Sequence, residues 1–227
     1  MNTAHLKPVT LSSATADSSY ISPFTRRCKR GFDLLIATTA LTVLLPLFPF
    51  IALAIKLDSN GPVFFSQPRI GQAKAQQTCI FNMLKFRTMV ADAERYSGAV
   101  WAQKADPRIT RMGKFLRKTR LDELPQLINV LRGDMSLVGP RPERPGFYAK
   151  LEQAIPYFAE RTYEVTPGIT GLAQVNQGYD TCIEDVKSKV AFDHCYALSL
   201  SSPWRWLKAD TAILLKTLVV MITGRGQ

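Results

Sequence analysis

The strongest constraint on the fold of this chain is an apolar segment long enough to cross a membrane but interrupted by prolines. Leu34 to Ile55 runs 22 residues without a charge, a length that normally spans a bilayer. Pro46 and Pro49 lie in its interior. Each removes a helix hydrogen bond and frees a carbonyl, so the segment bends there. The arms on either side of Pro46 are 12 and nine residues long. At about 1.5 Å per residue the longer arm reaches roughly 18 Å, short of a hydrocarbon core of about 30 Å.

Both flanks of this segment are basic. Arg26, Arg27, Lys29 and Arg30 precede it, and Lys56, Arg69, Lys74, Lys85 and Arg87 follow it. Between residues 26 and 90 the only acids are Asp33 and Asp58. Positive charge on both sides favours placing both ends on the cytoplasmic face. Three forms satisfy the residues alone: a re-entrant helix over about 32–57 bent at Pro46 and Pro49, a kinked spanning helix, and a buried core helix.

The chain has 227 residues, a net charge of +11 and an isoelectric point near 9.7. That length suits one domain plus a membrane element. The charge implies an anionic partner, whether nucleic acid, anionic lipid or a phosphorylated substrate, although a merely soluble basic protein has the same balance. Cys28, Cys79, Cys182 and Cys195 show no CxxC spacing. A zinc site is therefore excluded by pattern, a disulfide framework is not expected, and a reducing, cytosolic-facing location fits. Residues 1–24 are rich in Ser and Thr and read as a disordered tail without the features of a secretory signal.

Further along, Pro62–Phe65 and Thr78–Phe81 predict a short β-hairpin leading to Lys85. Residues 109–121 form a basic amphipathic stretch. Ile109, Met112 and Leu116 share a face there, while Arg111, Lys114, Arg117, Lys118 and Arg120 supply charge. This is the composition of a helix lying on an anionic membrane, or of a solvated charged face. Pro167, Gly168 and Gly171 mark a loop followed by Gln174 and Asn176, which are sugar- or base-reading side chains or ordinary loop polars. Trp204 and Trp206 precede an apolar run, Ile213 to Ile222, that is too short to span; an interfacial helix or a core helix would account for it. His194 has no catalytic partner in the pattern and reads as a packed helical residue.

The stretch from Thr119 to Glu143 carries the chemistry. Leu124, Leu127, Ile128 and Leu131 form an apolar helical face, Pro125 suits a first turn, and Gly133 is a natural stop. Asp122 and Glu123 then open the helix, where its dipole would keep a carboxylate ionised, as a nucleophile or a metal ligand requires. As a plain alternative, the pair is an N-cap followed by a first-turn acid.

This stretch resembles the signature of the bacterial sugar transferases, monotopic enzymes that load a sugar phosphate onto polyprenyl phosphate. GPVFFSQPRIG (61–71), KFRTM (85–89), DPRITRMGKFLR (106–117), PGITGLAQVN (167–176) and the proline-broken apolar segment (26–57) agree in order, so the similarity covers roughly residues 26 to 224. The resemblance implies a mainly helical α+β fold. It has one catalytic domain (25–227, the small form made of that domain alone), a re-entrant membrane helix, a small β-hairpin and interfacial amphipathic helices. It also implies transfer of a sugar 1-phosphate from a UDP-sugar to undecaprenyl phosphate with release of UMP, at the inner membrane's cytoplasmic face, to initiate exopolysaccharide, capsule, O-antigen or glycoprotein glycan assembly.

In that scheme Asp122 is the nucleophile that becomes an aspartyl phosphosugar. Glu123 is the second member of the dyad, Asp122 and Glu123 are the Mg²⁺ ligands, and Lys85, Arg87 and Arg141, with Gln174 and Asn176, contact the substrate. Anionic lipids are expected partners and nucleic acid is not; a homo-oligomer stays open. The family usually has Ser-Pro at the bend where this chain has Leu45-Pro46, so Thr42 or Thr39 is the expected substitute for the missing hydroxyl. A membrane-surface scaffold, a nucleic-acid-binding protein and a glycosyltransferase that moves only the sugar and releases UDP are the competing functions.

Overall fold

A computed structural model describes residues 19–74, 77–93, 106–177 and 182–223. Of the expected disordered tail, residues 1–18 lie outside the described residues. The remainder is ordered: Ile21 is buried in the core, and Ser22 caps the first helix by accepting from the Thr25 N–H.

Helix α1 (Pro23–Leu44) gives way at Leu45–Leu47 to a single 3₁₀ turn, and helix α2 (Phe48–Asp58) follows. Pro46 and Pro49 each fall in the first turn of the piece they begin, where a missing N–H costs little. The helical stretch is therefore longer than the expected 32–57 and is broken where the prolines dictate. Leu35, Val43, Leu45, Phe50, Leu53 and Leu57 are exposed along it. The Thr39 hydroxyl donates to Leu35 O at 2.8 Å, one turn back. It does not reach the Thr42 carbonyl that Pro46 frees, so Thr39 does not replace the missing serine.

Both arms return to the same body. Ala37 of α1 joins the main core with Leu127, Val130, Val138, Tyr196 and Ile213. Ile51 and Ile55 of α2 pack with Phe86 and Leu116. A buried Lys29 Nζ–Asp210 Oδ2 pair of 2.7 Å holds the base of α1 to the C-terminal helix. The far end of α2 is held by Arg87, whose guanidinium donates to the Ser59 carbonyl at 2.7 Å and also to that of Asn60.

Strands β1 (Phe64–Lys74) and β2 (Gln77–Phe86) form an antiparallel hairpin, paired from Phe64–Phe86 to Lys74–Gln77 with an irregularity between Ile70 and Ala73. It is longer than expected because the polar stretch 66–74 pairs as well. Helix α3 (Arg111–Thr119) starts under two caps: Thr110 accepts from the Gly113 N–H, and the Asp58 carboxylate accepts from the Met112 N–H at 2.8 Å. Its exposed side carries Arg111, Lys114, Phe115 and Lys118.

Helix α4 (Gln126–Arg132) ends at left-handed Gly133, as the sequence indicates. Its buried side differs from the expected apolar face: Leu127 and Val130 are buried beside Gln126 and Asn129, while Leu124, Ile128 and Leu131 are half-buried. Asn129 explains the rotation. Its amide accepts from the Leu84 N–H and donates to the Asn82 carbonyl, both at 2.9 Å, fastening α4 to β2.

Strands β3 (Ser136–Val138) and β4 (Gly168–Thr170) make a second, parallel pair that no alternation in the sequence announces. Helices α5 (Pro145–Ala154), α6 (Leu172–Asn176), α7 (Ile183–Ser199) and α8 (Pro203–Thr223) complete the fold. Trp204 and Trp206 part company on α8. Trp204 is 81% exposed, whereas Trp206 is 4% exposed and its indole donates to Asp210. Trp206 is thus a core residue and not an interfacial anchor. The fold is mainly helical, as the sequence indicates, with two small two-stranded sheets.

Candidate active site

Asp122 and Glu123 lie in a single 3₁₀ turn, Leu121–Glu123, between α3 and α4. Arg120 ends α3 in a left-handed conformation, φ 59°, and Pro125 sits at the N-cap of α4. The dyad therefore precedes the α-helix and does not open it. The dipole of a seven-residue helix that begins beyond Pro125 is not what sets its charge.

Neighbouring charges set it, and they treat the two carboxylates oppositely. Glu123 is gripped on both oxygens. Its Oε1 accepts from Lys85 Nζ at 3.0 Å and from the Arg141 fork at 3.4 and 3.5 Å. Its Oε2 lies 3.8 Å from Arg120. Burial works against the charge, but Lys85, Arg141 and Arg120 outweigh it and hold Glu123 well below the usual carboxylate range. Asp122 is 6% exposed and makes no hydrogen bond or ion pair among the described residues. Burial pushes its carboxyl up to about 6; Lys85 pulls it down, and Glu123 pushes it further up.

Lys85 stands near the end of β2, where its ammonium is pulled down by burial and held up by Glu123. Arg69 comes from the partner strand. Burial first, and Arg141 second, push its guanidinium down to about 10. Arg141 is presented by the loop between β3 and α5, whose carbonyls from Pro140 to Glu143 are each occupied. Pro140 O accepts from Gly168 N at 2.9 Å and Arg141 O from Arg161 Nη2 at 3.0 Å. Pro142 O accepts from Arg69 Nη1 at 3.1 Å and Glu143 O from Ile70 N at 2.8 Å. Gly139 permits the approach, since a Cβ there would stand 2.3 Å from Thr166 O. Arg161 is itself held by Asp193 of α7 at 2.8 Å.

The structure thus brings Asp122, Glu123, Lys85 and Arg141 together, and it adds Arg69 and Arg120 to them. Arg87 is not brought to the dyad: it is buried under the end of α2, its guanidinium on backbone carbonyls. The Gln174 amide donates to Ile169 O at 3.2 Å, while its buried Oε1 has no hydrogen-bond partner among the described residues. It shares the lining of a small cavity with Arg141 and Arg161. Asn176 bonds Leu172 O and receives Lys216, away from the carboxylates. His194 meets the Tyr157 carbonyl on the surface. A larger cavity, about 280 Å³, lies by Lys29, Asp33 and Glu164, where these polar groups already pair with one another or with neighbours. Arg69 and Arg120 escaped the sequence reading as site residues because one was counted as flanking charge and the other as helix charge.

Among the described residues no three Asp, Glu, His or Cys side chains converge as a ready-made metal cage. Mg²⁺ is usually held by one or two carboxylates together with substrate phosphates. Asp122 fits that arrangement, with its oxygens unengaged. Glu123 fits it poorly, with both oxygens turned to cations.

The family model described as bacterial sugar transferase matches residues 24–224. The chain is 43% identical over 205 residues to UDP-N-acetylgalactosamine-undecaprenyl-phosphate N-acetylgalactosaminephosphotransferase of Aeromonas hydrophila, covering 90% of this chain and 46% of that protein. It is 43% identical over 203 residues to undecaprenyl-phosphate glucose phosphotransferase of Komagataeibacter xylinus, covering 87% and 36% respectively. With the exopolysaccharide production protein PSS of Rhizobium leguminosarum bv. phaseoli it shares 41% over 205 residues, covering 87% and 97%. The chain therefore spans about half or less of the first two relatives and almost all of the third.

Proposed function

The chain belongs to the bacterial sugar transferase family, and on that premise we propose that it moves a sugar 1-phosphate from a UDP-sugar to undecaprenyl phosphate and releases UMP. The observation that carries this reading is the pairing of a buried carboxylate with no hydrogen-bond or ion-pair partner among the described residues, Asp122, with a cation-saturated one, Glu123. A nucleophile needs free lone pairs and a low-dielectric site; Asp122 has both. Phosphoryl transfer also needs cations to spread charge over phosphate oxygens. Lys85, Arg141, Arg120 and Arg117 surround the pair with more positive charge than the two carboxylates neutralise.

Asp122 Oδ attacks the β-phosphorus. A carboxylate–phosphorus bond forms, the bond from that phosphorus to the bridging oxygen breaks, and UMP leaves with the electron pair. A phosphate oxygen of undecaprenyl phosphate then attacks the same phosphorus and returns the Asp122 carboxylate. Glu123 fixes Lys85 and Arg141 in place during both steps. Mg²⁺, held by Asp122 and the donor's phosphates, would withdraw charge from the diphosphate.

The relatives named above act with N-acetylgalactosamine or glucose, and UDP-linked hexoses of these kinds are the proposed donors. The broken apolar helix supports a site at a membrane surface. The fastening of both its ends to one body supports a re-entrant segment on the cytoplasmic side, with the exposed face of α3 against anionic lipid. The role proposed for the product is to initiate exopolysaccharide assembly, in line with the Rhizobium protein's name.

The deciding experiment incubates the enzyme with a UDP-sugar and Mg²⁺ before any polyprenyl phosphate is added. About one equivalent of UMP should be released, and the intact mass should rise by one sugar phosphate on Asp122. Release of UDP would mark a sugar-only transferase. Absence of both burst and adduct in a fully active preparation would defeat the covalent step.

A further inference from the structure

Arg120 occupies a position whose backbone suits another residue. It is the C-cap of α3, at φ 59° and ψ 13°, with its N–H bonded to the Arg117 carbonyl. Helices that end this way usually carry glycine or asparagine there, because a Cβ crowds the following carbonyl oxygen in the left-handed region. The strain cannot relax by shifting α3. Gly113 packs against the Thr88 backbone, where a Cβ would come within 2.0 Å of its carbonyl oxygen, and Arg117 Nε donates to the Thr88 hydroxyl at 2.9 Å. On the other side Arg120 is followed at once by the turn that carries the dyad. Strained backbone that persists beside charged site groups points to a side chain required there.

The side chain has a definite task. Lys85 and Arg141 both address Glu123 Oε1. Arg120 lies 3.8 Å from Oε2. Three cations from three separate elements therefore hold one carboxylate, and Arg120 is the one on its second oxygen. We propose that Arg120 is a positioning residue of the transfer site, keeping Glu123 fixed so that Lys85 and Arg141 stay aimed at the diphosphate of the nucleotide sugar, in exchange for a strained helix end. The inference rests on the transferase reading given above.

The test compares Arg120→Gly, Arg120→Asn and Arg120→Lys in UMP release from a UDP-sugar with undecaprenyl phosphate. Glycine and asparagine relieve the strain but take a cation from buried Glu123, so Tm should move by less than about 2–4 °C, the shift that about 1 kcal/mol produces in a chain of this size. Both should also lower kcat at least about tenfold, which is about 1.4 kcal/mol of transition-state stabilisation. Lysine keeps the charge and should retain more of the rate than either. In a Glu123→Gln background, where the carboxylate is absent, Arg120→Gly should cost less than threefold, since its effect runs through Glu123. Wild-type kcat in a folded Arg120→Gly enzyme would overturn the proposal, as would an undiminished loss in the Glu123→Gln background. Wild-type UMP release in the same assay tests the transferase reading separately.

Discussion

Two of the buried charge clusters in this molecule are built on opposite plans. The first ties α1 to α8. Lys29 pairs with Asp210 at 2.7 Å, and Asp210 also accepts from the Tyr196 hydroxyl and the Trp206 indole, each at 2.8 Å. Nearby, Asp33 accepts from the Ser136 hydroxyl at 2.8 Å and the Leu137 N–H at 3.1 Å. Each carboxylate there has its donors. The second cluster sets Lys85, Arg117, Arg120 and Arg141 around Asp122 and Glu123, so four cations face two carboxylates, a surplus of two. One carboxylate is saturated, and the other has no hydrogen-bond or ion-pair partner among the described residues. A satisfied buried network rigidifies a core, whereas surplus charge and free lone pairs are costly unless a ligand uses them. The imbalance, more than the burial, distinguishes the site from the scaffold.

The largest expected effect that tests this contrast is on turnover. Asp122→Asn should abolish UMP release while leaving the protein folded. At neutral pH it should gain up to about 3 kcal/mol, because roughly two pKa units of penalty at about 1.36 kcal/mol each are removed. Denaturant melts beside activity assays check both halves; a variant that turns over normally removes Asp122 as nucleophile.

Asp210→Ala should do the reverse. It strands buried Lys29 and leaves Tyr196 and Trp206 donors unmet, which costs on the order of 3–5 kcal/mol. Turnover per folded molecule should stay within about threefold, since Asp210 touches no site group. Equal damage to rate and stability would erase the distinction between the clusters.

A smaller effect separates the two clusters by pH. The Asp122 carboxyl is raised in the fold from 3.8 to about 6. For a raised group, stability is fully present below the unfolded value and is lost as pH rises through the folded value. Metal-free protein should therefore lose part of its stability between about pH 4 and 6, relative to Asp122→Asn measured alongside. A constant difference between the two proteins over that window would contradict the raised value.

The smallest effect is expected at the bend. Pro46 and Pro49 sit where their missing N–H groups matter little, and both ends of the helix pair are fastened to one body. Pro46→Ala with Pro49→Ala should then leave topology unchanged. Cysteines replacing Arg27 and Asn60 in a Cys-free protein should still label alike with a membrane-impermeant reagent; opposite labelling would mean that the prolines, and not the anchors, hold the ends together.

How much could be read before folding depended on how local each feature is. Pro46 interrupts a helix by its own covalent structure, so the break was legible. The strands of the hairpin were found but cut short, because polar Ser66–Lys74 pairs by backbone and leaves no alternation to read. The α4 face was misjudged by one position because Asn129, polar and wholly buried, takes its partners from β2, a strand 45 residues away for Leu84. Arg87 and Lys85 look equivalent in a basic motif, yet Lys85 Nζ reaches Glu123 while Arg87 closes the end of α2.

The sequence by itself determined the elements whose cause lies within a few residues: the broken apolar helix, the stop at Gly133, the adjacent acids at 122 and 123, and the basic surplus around them. Tertiary structure decided what each charge does. Asp122 and Glu123 are neighbours in the same turn with nearly the same intrinsic chemistry, and only the arrival of Lys85 from β2, Arg141 from its carbonyl-locked loop and Arg120 from the end of α3 makes one a held ion and leaves the other free. Charge interactions fall off over a few ångströms in space and take no account of separation along the chain, so their outcome waits on the fold.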